Sequence, residues 1–86
     1  MDIIAKKDGY KYAVQVKRYN QPISRRVISD AVAGKAPYGC HSAMVITNNY
    51  FTNDAKKLAQ ATGCELVDRE KLIKWIVELQ EFETGS

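Results

Sequence analysis

The sequence has little of what builds a metal cluster or a disulfide framework. Its 86 residues include one histidine, His41, and two cysteines, Cys40 and Cys64, which have no CxxC spacing. A structural zinc site takes four ligands, mostly Cys and His, so this inventory excludes a zinc site built without carboxylates. We expect two free, buried structural thiols. His41 precedes a predicted strand with no acidic residue beside it, and we expect its role to be structural as well.

Long apolar runs are also absent. No uninterrupted hydrophobic stretch approaches the ~20 residues that span a bilayer, and the first residues lack the basic-then-apolar order of a secretion signal. We therefore expect a cytoplasmic protein. With 45% hydrophobic and 27% charged residues, the composition is that of an ordinary globular chain. A chain of this length forms one core, so we predict a single domain over residues 1–86.

Acidic residues are scarce in the first half of the chain. Residues 1–39 hold eight basic and three acidic side chains (+5), whereas residues 40–86 hold five and seven (−2). This uneven charge favours a polyanionic partner for the first half. The alternative is a solvated surface that happens to be uneven.

The first seventeen residues have the pattern of a β-hairpin. Two runs rich in β-favouring residues, 2–7 and 10–17, flank Asp8-Gly9, which is a preferred filling of a two-residue type I′ turn. With that turn, cross-strand partners sum to 17, so Asp2 faces Gln15. Alternation then places Asp2, Gln15 and Lys17 on one face of the hairpin. The other face is formed by Ile3, Ala5, Tyr12, Val14 and Val16.

Three helices and two more strands are predicted to follow. The expected helix N-caps are Ser24, Thr52 and Asp68. Gly39 and Gly63 mark the ends of the first two helices. The strands cover residues 41–47 and 64–67. The order ββαβαβα predicts an α/β fold with a mixed sheet, antiparallel in the hairpin and parallel beyond it.

The last helix has more apolar surface than one sheet requires. Its predicted inward stripe consists of Leu72, Ile73, Ile76 and Val77. A second stripe consists of Trp75, Leu79 and Phe82. An apolar face this wide predicts that something further packs on the helix.

The shared hairpin face carries a carboxylate, an amide and an ammonium. Side chains directly opposed on two strands have Cβ atoms about 4.5–5.5 Å apart, close enough to reach one ion or one phosphate oxygen. Mg²⁺ prefers oxygen ligands, which the Asp2 carboxylate, the Gln15 amide and the Val16 backbone carbonyl would supply. Lys17 would orient or deprotonate water, or balance phosphate charge. The alternative is an exposed polar face on which Asp2 and Lys17 form a weak surface pair.

A wider set of residues resembles the catalytic domain of Mrr-type restriction endonucleases, of the PD-(D/E)xK nuclease superfamily. Its segments are Asp2, Gln15-Val16-Lys17-Arg18-Tyr19, Ala31-Val32-Ala33-Gly34-Lys35-Ala36, Val45-Ile46-Thr47-Asn48, Tyr50-Phe51-Thr52 with Ala55, and Leu66-Val67-Asp68. The resemblance runs in order from Asp2 to about Ile76. It implies a restriction-endonuclease-like mixed sheet flanked by helices and Mg²⁺-dependent (or Mn²⁺-dependent) hydrolysis of DNA. Asp2, Gln15 and Lys17 match the family's metal-binding aspartate, its glutamine and its catalytic lysine.

The sequence departs from the family pattern at its start. Relatives have a glycine-containing segment and a helix before the aspartate, whereas only Met1 precedes Asp2 here. We therefore expect a truncated domain whose sheet is partly uncovered, which fits the second apolar stripe of the last helix. A homodimer would cover that surface.

Several residues are candidates for binding DNA. The basic ones are Arg18, Arg25, Arg26 and Lys35, which would contact phosphates, or else form a solvated helix face. Tyr19 could stack on a sugar or base. Thr47 and Asn48 end a strand and match the family's Thr/Asn-rich turn, where they would contact DNA, support the site or form a plain turn.

The expected function is a DNA endonuclease. The alternatives are an inactive DNA-binding or oligomerising module and, less favoured, a junction or repair nuclease.

Overall fold

The computed structural model of the protein describes the backbone of residues 2–84 and the side chains of residues 3–6 and 8–78. The strands are β1 (Asp2–Lys7), β2 (Tyr10–Lys17), β3 (Ser42–Thr47) and β4 (Glu65–Val67). The helices are α1 (Arg25–Ala33), α2 (Asn53–Thr62) and α3 (Arg69–Thr84), with a short 3-10 helix at Ala36–Tyr38. The sheet has the order β1-β2-β3-β4, antiparallel between β1 and β2 and parallel beyond. The predicted α/β fold with a mixed sheet is confirmed.

The hairpin has the predicted turn and register. Asp8 and Gly9 have φ angles of 54° and 80°, and positive φ at both central residues is what a type I′ turn requires. Asp2 pairs with Gln15, and the pairing continues residue by residue to Lys7 and Tyr10. This unbroken ladder contains no bulge, so the alternation of faces along β2 holds.

Helices α1 and α2 pack together on one face of the sheet. Their apolar sides, with those of β3, form a core of Ile23, Val27, Ile28, Ala31, Ala43, Val45, Phe51, Ala55, Ala59 and Cys64. The core continues beyond the strand ends, because fully buried Ile23 forms a bridge with Phe51. Hydrogen bonds from Ile23 N to Tyr50 O (2.7 Å) and from Thr52 N to Ile23 O (3.0 Å) fix that bridge.

The predicted end of α1 is wrong. The helix ends at Ala33 and is capped by Gly34, whose N–H donates to Asp30 O. A 3-10 helix containing Pro37 follows, and Gly39 (φ 62°) ends that turn instead. The physical reason is Pro37, which has no N–H to donate to Ala33 O and therefore cannot continue the α-helical hydrogen bonding.

Helix α3 contacts β3 and β4, and its inward stripe is largely exposed. Leu72 is half-buried, but Ile73 is 50% exposed, and Ile76 and Val77 are exposed as well. The expected burial of these three residues is therefore wrong. The reason is geometric, since three-residue β4 is about 10 Å long, whereas sixteen-residue α3 is about 24 Å long and outruns it.

Of the second stripe, Trp75 is exposed, whereas the side chains of Leu79 and Phe82 lie outside the described residues. Within residues 2–84, no helix combines the length and apolar character that a membrane span requires.

Candidate active site

Gln15 lies on the sheet face that α1 covers. Its strand neighbour Val45 is fully buried in the core, and Ala13, two residues earlier on the same face, is also buried. Gln15 lines a cavity of about 10 Å³ together with Ala31 and Gly34 at the end of α1. A space of this size holds about one water-sized sphere. The structure therefore places the Gln15 side chain on a partly buried face, not on an open hairpin surface.

The side-chain oxygen Oε1 of Gln15 is buried and has no hydrogen-bond partner among the described residues. A buried polar atom without a partner costs about 1–3 kcal/mol of stability, and native proteins contain few of them. A water molecule or a hard divalent cation would satisfy this oxygen, and amide oxygens are suitable ligands for such a cation. Burial of this oxygen argues against the simple exposed polar face.

Asp2 and Lys17 occupy the positions in the sheet that the hairpin register predicts. Asp2 pairs with Gln15, while its side chain lies outside the described residues. Lys17 is half-buried, pairs with Thr47, and lies two residues beyond Gln15 on the same face, about 6–7 Å along the strand. Val16 lies between them, and its side chain is exposed on the opposite face. Since that side chain has no donor atom, the only ligand that Val16 offers is its backbone carbonyl. The catalytic and metal-binding roles of these residues stay predictions.

The segment after β2 forms a shallow depression that is open to solvent. It has a volume of about 360 Å³ and is lined by Arg18, Tyr19, Asn20 and Gln21, all of which are exposed. The structure therefore brings Arg18 and Tyr19, both expected to bind DNA, together at the end of β2.

The turn after β3 holds this segment in place. Tyr19 N donates to Asn48 Oδ1 at 3.1 Å, and Asn49 Nδ2 donates to Tyr19 O at 3.2 Å. Thr47 is 1% exposed, and its Oγ1 accepts a hydrogen bond from Asn49 N. The buried Thr47 hydroxyl has no surface to offer DNA, so any part it plays in DNA binding is indirect and passes through the turn.

The remaining basic candidates are spread along α1. Arg25 and Arg26 begin the helix and are exposed, with Arg25 lining a depression of about 240 Å³ between α1 and α2. Lys35 follows the other end of α1, where its charge acts on the thiol of Cys64. The structure thus separates Lys35 from Arg18, and the DNA-binding roles of all three α1-associated residues stay predictions.

His41 lies at the opposite end of β2 from Gln15 and is held there by two hydrogen bonds and by ring stacking. Its N–H donates to Lys11 O (2.8 Å), its Nδ1 accepts from Lys11 N (2.9 Å), and its ring stacks on Tyr10. This is the structural role expected of it. Both cysteines are free, with Cys64 buried and Cys40 half-buried.

Two features of the site were missed in the sequence. The two asparagine side chains that hold Tyr19 come from residues about thirty positions away, and only the Asn48-Asn49 pair directly after a strand hinted at them. Asn20 and Gln21 are the second feature, because they line the depression after β2 although no motif in the sequence includes them. No local signal distinguishes such residues from ordinary polar loop residues.

Comparisons with known proteins identify the family of the chain. A family model described as restriction endonuclease, Mrr_cat, matches residues 1–76. The chain is also similar to a crystal structure described as a protein of unknown function, AF1548, at 26% identity and a TM-score of 0.68. That match covers 76% of this chain and 38% of the other protein, so the chain spans well under half of that protein's length. Comparison with curated proteins gives no match. Since the family model covers most of its length, the chain belongs to the Mrr_cat restriction endonuclease family, a family of nuclease-like domains.

Proposed function

We propose that this chain is a metal-dependent DNA endonuclease domain that hydrolyses phosphodiester bonds, with Mg²⁺ or Mn²⁺ as its cofactor. The observation that carries the proposal is that Oε1 of Gln15 is buried and has no hydrogen-bond partner within the described part of the chain. It lies in the strand that ends with Lys17, opposite Asp2 in the register. A carboxylate, an amide oxygen and an ammonium on one face fit phosphodiester hydrolysis better than they fit packing.

The residues present suit a hard divalent cation. Gln15 supplies a neutral oxygen from the sheet face, Asp2 supplies the negative charge that such ions require, and the Val16 carbonyl is a third oxygen donor. When bound, the ion would polarise the phosphate and lower the pKa of a coordinated water. Among the described residues, no three or more His, Cys, Asp and Glu side chains lie close enough together to hold a metal ion. The single carboxylate of the proposed set predicts modest affinity for the ion in the absence of DNA.

Lys17 has a separate part in the proposed reaction. The half-buried Lys17 side chain lies two residues beyond Gln15 on the same face of β2, and its ammonium would orient the attacking water and stabilise the negative charge that develops on the phosphate. Arg18, the next residue, is exposed and would bind a neighbouring phosphate. Catalysis and substrate binding would thus come from consecutive residues of one strand end.

Plasmid nicking tests the proposal. Purified protein is incubated with supercoiled DNA in Mg²⁺, Mn²⁺ or EDTA, and we expect nicking with either ion and none in EDTA. Lys17→Ala should slow nicking by roughly 10²-fold or more, whereas Lys56→Ala, at an exposed lysine of α2, should not. Nicking in EDTA, or equal nicking by the Lys17 variant, would contradict the assignment.

The same experiment addresses the alternative of an inactive binding module. That reading predicts no nicking under any condition, together with DNA binding that weakens as salt increases. Under the enzyme proposal, Lys17→Ala retains most of its DNA binding while losing cleavage.

The proposed partners are DNA and a second copy of the chain. The exposed apolar side chains of Ile73, Ile76 and Val77 form a surface of the kind that self-association covers. Sedimentation velocity measures this directly. We expect a dimer that the double substitution Ile73→Glu/Ile76→Glu converts to monomer, and a wild-type monomer at all concentrations would rule out the dimer.

A further inference from the structure

The segment from Arg18 to Gln21 is an open loop held rigid at both ends. Near its start, both backbone polar groups of Tyr19 are bonded to the side chains of Asn48 and Asn49. Just beyond its end, Ile23 is fully buried and bonded to the backbone of Tyr50 and Thr52. A loop fixed in this way loses little conformational entropy when it binds a ligand.

The turn that holds the loop is itself anchored. Asn49 N donates to Thr47 Oγ1, and Asn49 O accepts a hydrogen bond from Arg69 N at 2.9 Å, at the start of α3. Tyr50 N donates to Asn49 Oδ1 at 2.8 Å. Asn49 therefore connects β3, the loop after β2 and the start of α3, and the depression takes its shape from the sheet.

The side chains that line the depression are complementary to a nucleotide. Arg18 carries a guanidinium, which pairs with phosphate oxygens in a forked geometry. Asn20 and Gln21 carry amides, which present a donor and an acceptor together and can bond the edge of a base. Tyr19 is 42% exposed, and its ring can pack on a sugar. The depression has a volume of about 360 Å³ and is open to solvent.

The position of the depression selects which nucleotide it receives. Arg18 directly follows Lys17, the proposed catalytic lysine, so the depression begins one residue along the chain from that lysine. We propose that residues 18–21 form a subsite for the nucleotide next to the scissile phosphate, with Arg18 on its phosphate and the Asn20 and Gln21 amides on the edge of its base. This inference rests on the proposed function and adds a base preference at one position beside the cut.

DNA binding in EDTA tests the subsite without any cleavage. The intact chain is mixed with a duplex pool that carries a randomised stretch, and the bound fraction is sequenced. We expect enrichment of one base at one position by roughly fivefold or more, and Asn20→Ala/Gln21→Ala should abolish it. Gln60→Ala, at an exposed glutamine of α2, is the matched control and should retain the enrichment.

A salt titration separates base contact from phosphate contact. Arg18→Ala should reduce the slope of log affinity against log salt by about one, while the double amide variant should leave the slope unchanged. Both variants alter exposed loop residues, and circular dichroism checks that they fold.

Four results would overturn the subsite. The wild-type chain does not bind DNA, or it binds DNA but enriches no base. The enrichment survives the double substitution, or the salt slope of Arg18→Ala equals that of the wild type. The proposed function has a different readout, which is metal-dependent nicking. Nicking without base enrichment would leave the enzyme and remove the subsite. Enrichment lost in the double variant without nicking would leave a base contact at Asn20 and Gln21, and would remove both the enzyme and the position of that contact beside a cut.

Discussion

The side chain of Asn48 accepts a hydrogen bond from the backbone N–H of Tyr19, at 3.1 Å between Oδ1 and N. The adjacent Asn49 donates from Nδ2 to the carbonyl of the same residue, at 3.2 Å. One residue of the loop after β2 is thus held through both of its polar backbone groups by the turn after β3. Since β2 and β3 are parallel neighbours, these bonds join two strand ends at the edge where the proposed site lies.

The opposite hydrogen-bonding roles of these two asparagines predict opposite tolerance to aspartate. Asn48→Asp retains an acceptor for Tyr19 N, so we expect a change in unfolding free energy within about 0.5 kcal/mol. Asn49→Asp has no donor and places a carboxylate at Tyr19 O, so we expect a loss of about 1–2 kcal/mol and slower nicking. Urea denaturation of both variants measures the difference. Equal stabilities would show that the two bonds do not hold the loop.

Gln15 is expected to lower the free energy of unfolding because its buried oxygen is kept for a metal ion. Gln15→Leu removes the unpartnered oxygen at a site bordered by Ala13 and Ala31, so the unfolding free energy should rise by about 1 kcal/mol. The same variant should lose metal-dependent nicking, because leucine offers no ligand. Urea denaturation and plasmid nicking measure the two effects. A variant that is less stable, or that nicks at the wild-type rate, would show that the oxygen is not reserved for a metal.

The hairpin and the ends of α2 could be predicted from the sequence because they depend on local chemistry. Asp8-Gly9 specifies its turn because the two residues tolerate positive φ, and the turn then fixes every pair of the hairpin, including Asp2 with Gln15. Thr52 and Gly63 mark the ends of α2 for equally local reasons, through a side-chain bond to a backbone N–H and a left-handed φ of 75°.

The features that could not be predicted from the sequence depend on long-range packing. The bonds from Asn48 and Asn49 to Tyr19 exist only because β2 and β3 become neighbours, which no local pattern encodes. Gln15 shares its cavity with residues at the end of α1, and that helix ends at Ala33 rather than near Gly39, the residue from which its end was predicted. The exposure of Ile73 depends on β4 being too short to cover α3, a property of the sheet and not of the helix.

Two glycines should respond in opposite directions to alanine. Gly9 has a φ of 80°, and a Cβ there would meet nothing within 4 Å, so the cost of Gly9→Ala is backbone strain alone. We expect it to lower the unfolding free energy by about 1 kcal/mol or more. Gly34 has a φ of −74° and an added Cβ would make ordinary contacts at 3.5 Å, so Gly34→Ala should be neutral or stabilising by up to about 1 kcal/mol. Thermal denaturation of the pair gives the comparison, and a destabilised Gly34 variant beside a neutral Gly9 variant would contradict the turn assignment.

The N-caps of α1 and α2 provide a second matched pair. Thr52 Oγ1 accepts a hydrogen bond from Ala55 N at 3.1 Å, whereas the side chain of Ser24 makes no capping bond. Thr52→Ala should therefore lower the unfolding free energy by about 1 kcal/mol, and Ser24→Ala by a smaller amount. Chemical denaturation resolves a difference of this size. Equal losses would mean that the cap bond of Thr52 contributes nothing beyond the intrinsic preference of its backbone.

The thiol of Cys64 should make stability depend on pH in alkaline solution. Burial raises its pKa from 9.0 to about 11, an effect that the nearby Lys35 charge opposes and Glu65 reinforces. The folded protein therefore keeps this proton where the unfolded chain loses it, so the contribution is complete below about pH 9 and is lost as the pH rises to about 11. We expect the unfolding free energy of the wild type to fall more steeply across this interval than that of Cys64→Ala. Cys40→Ala, which removes the half-buried thiol, should retain the wild-type profile, and identical slopes in the two cysteine variants would show that burial of Cys64 is not responsible.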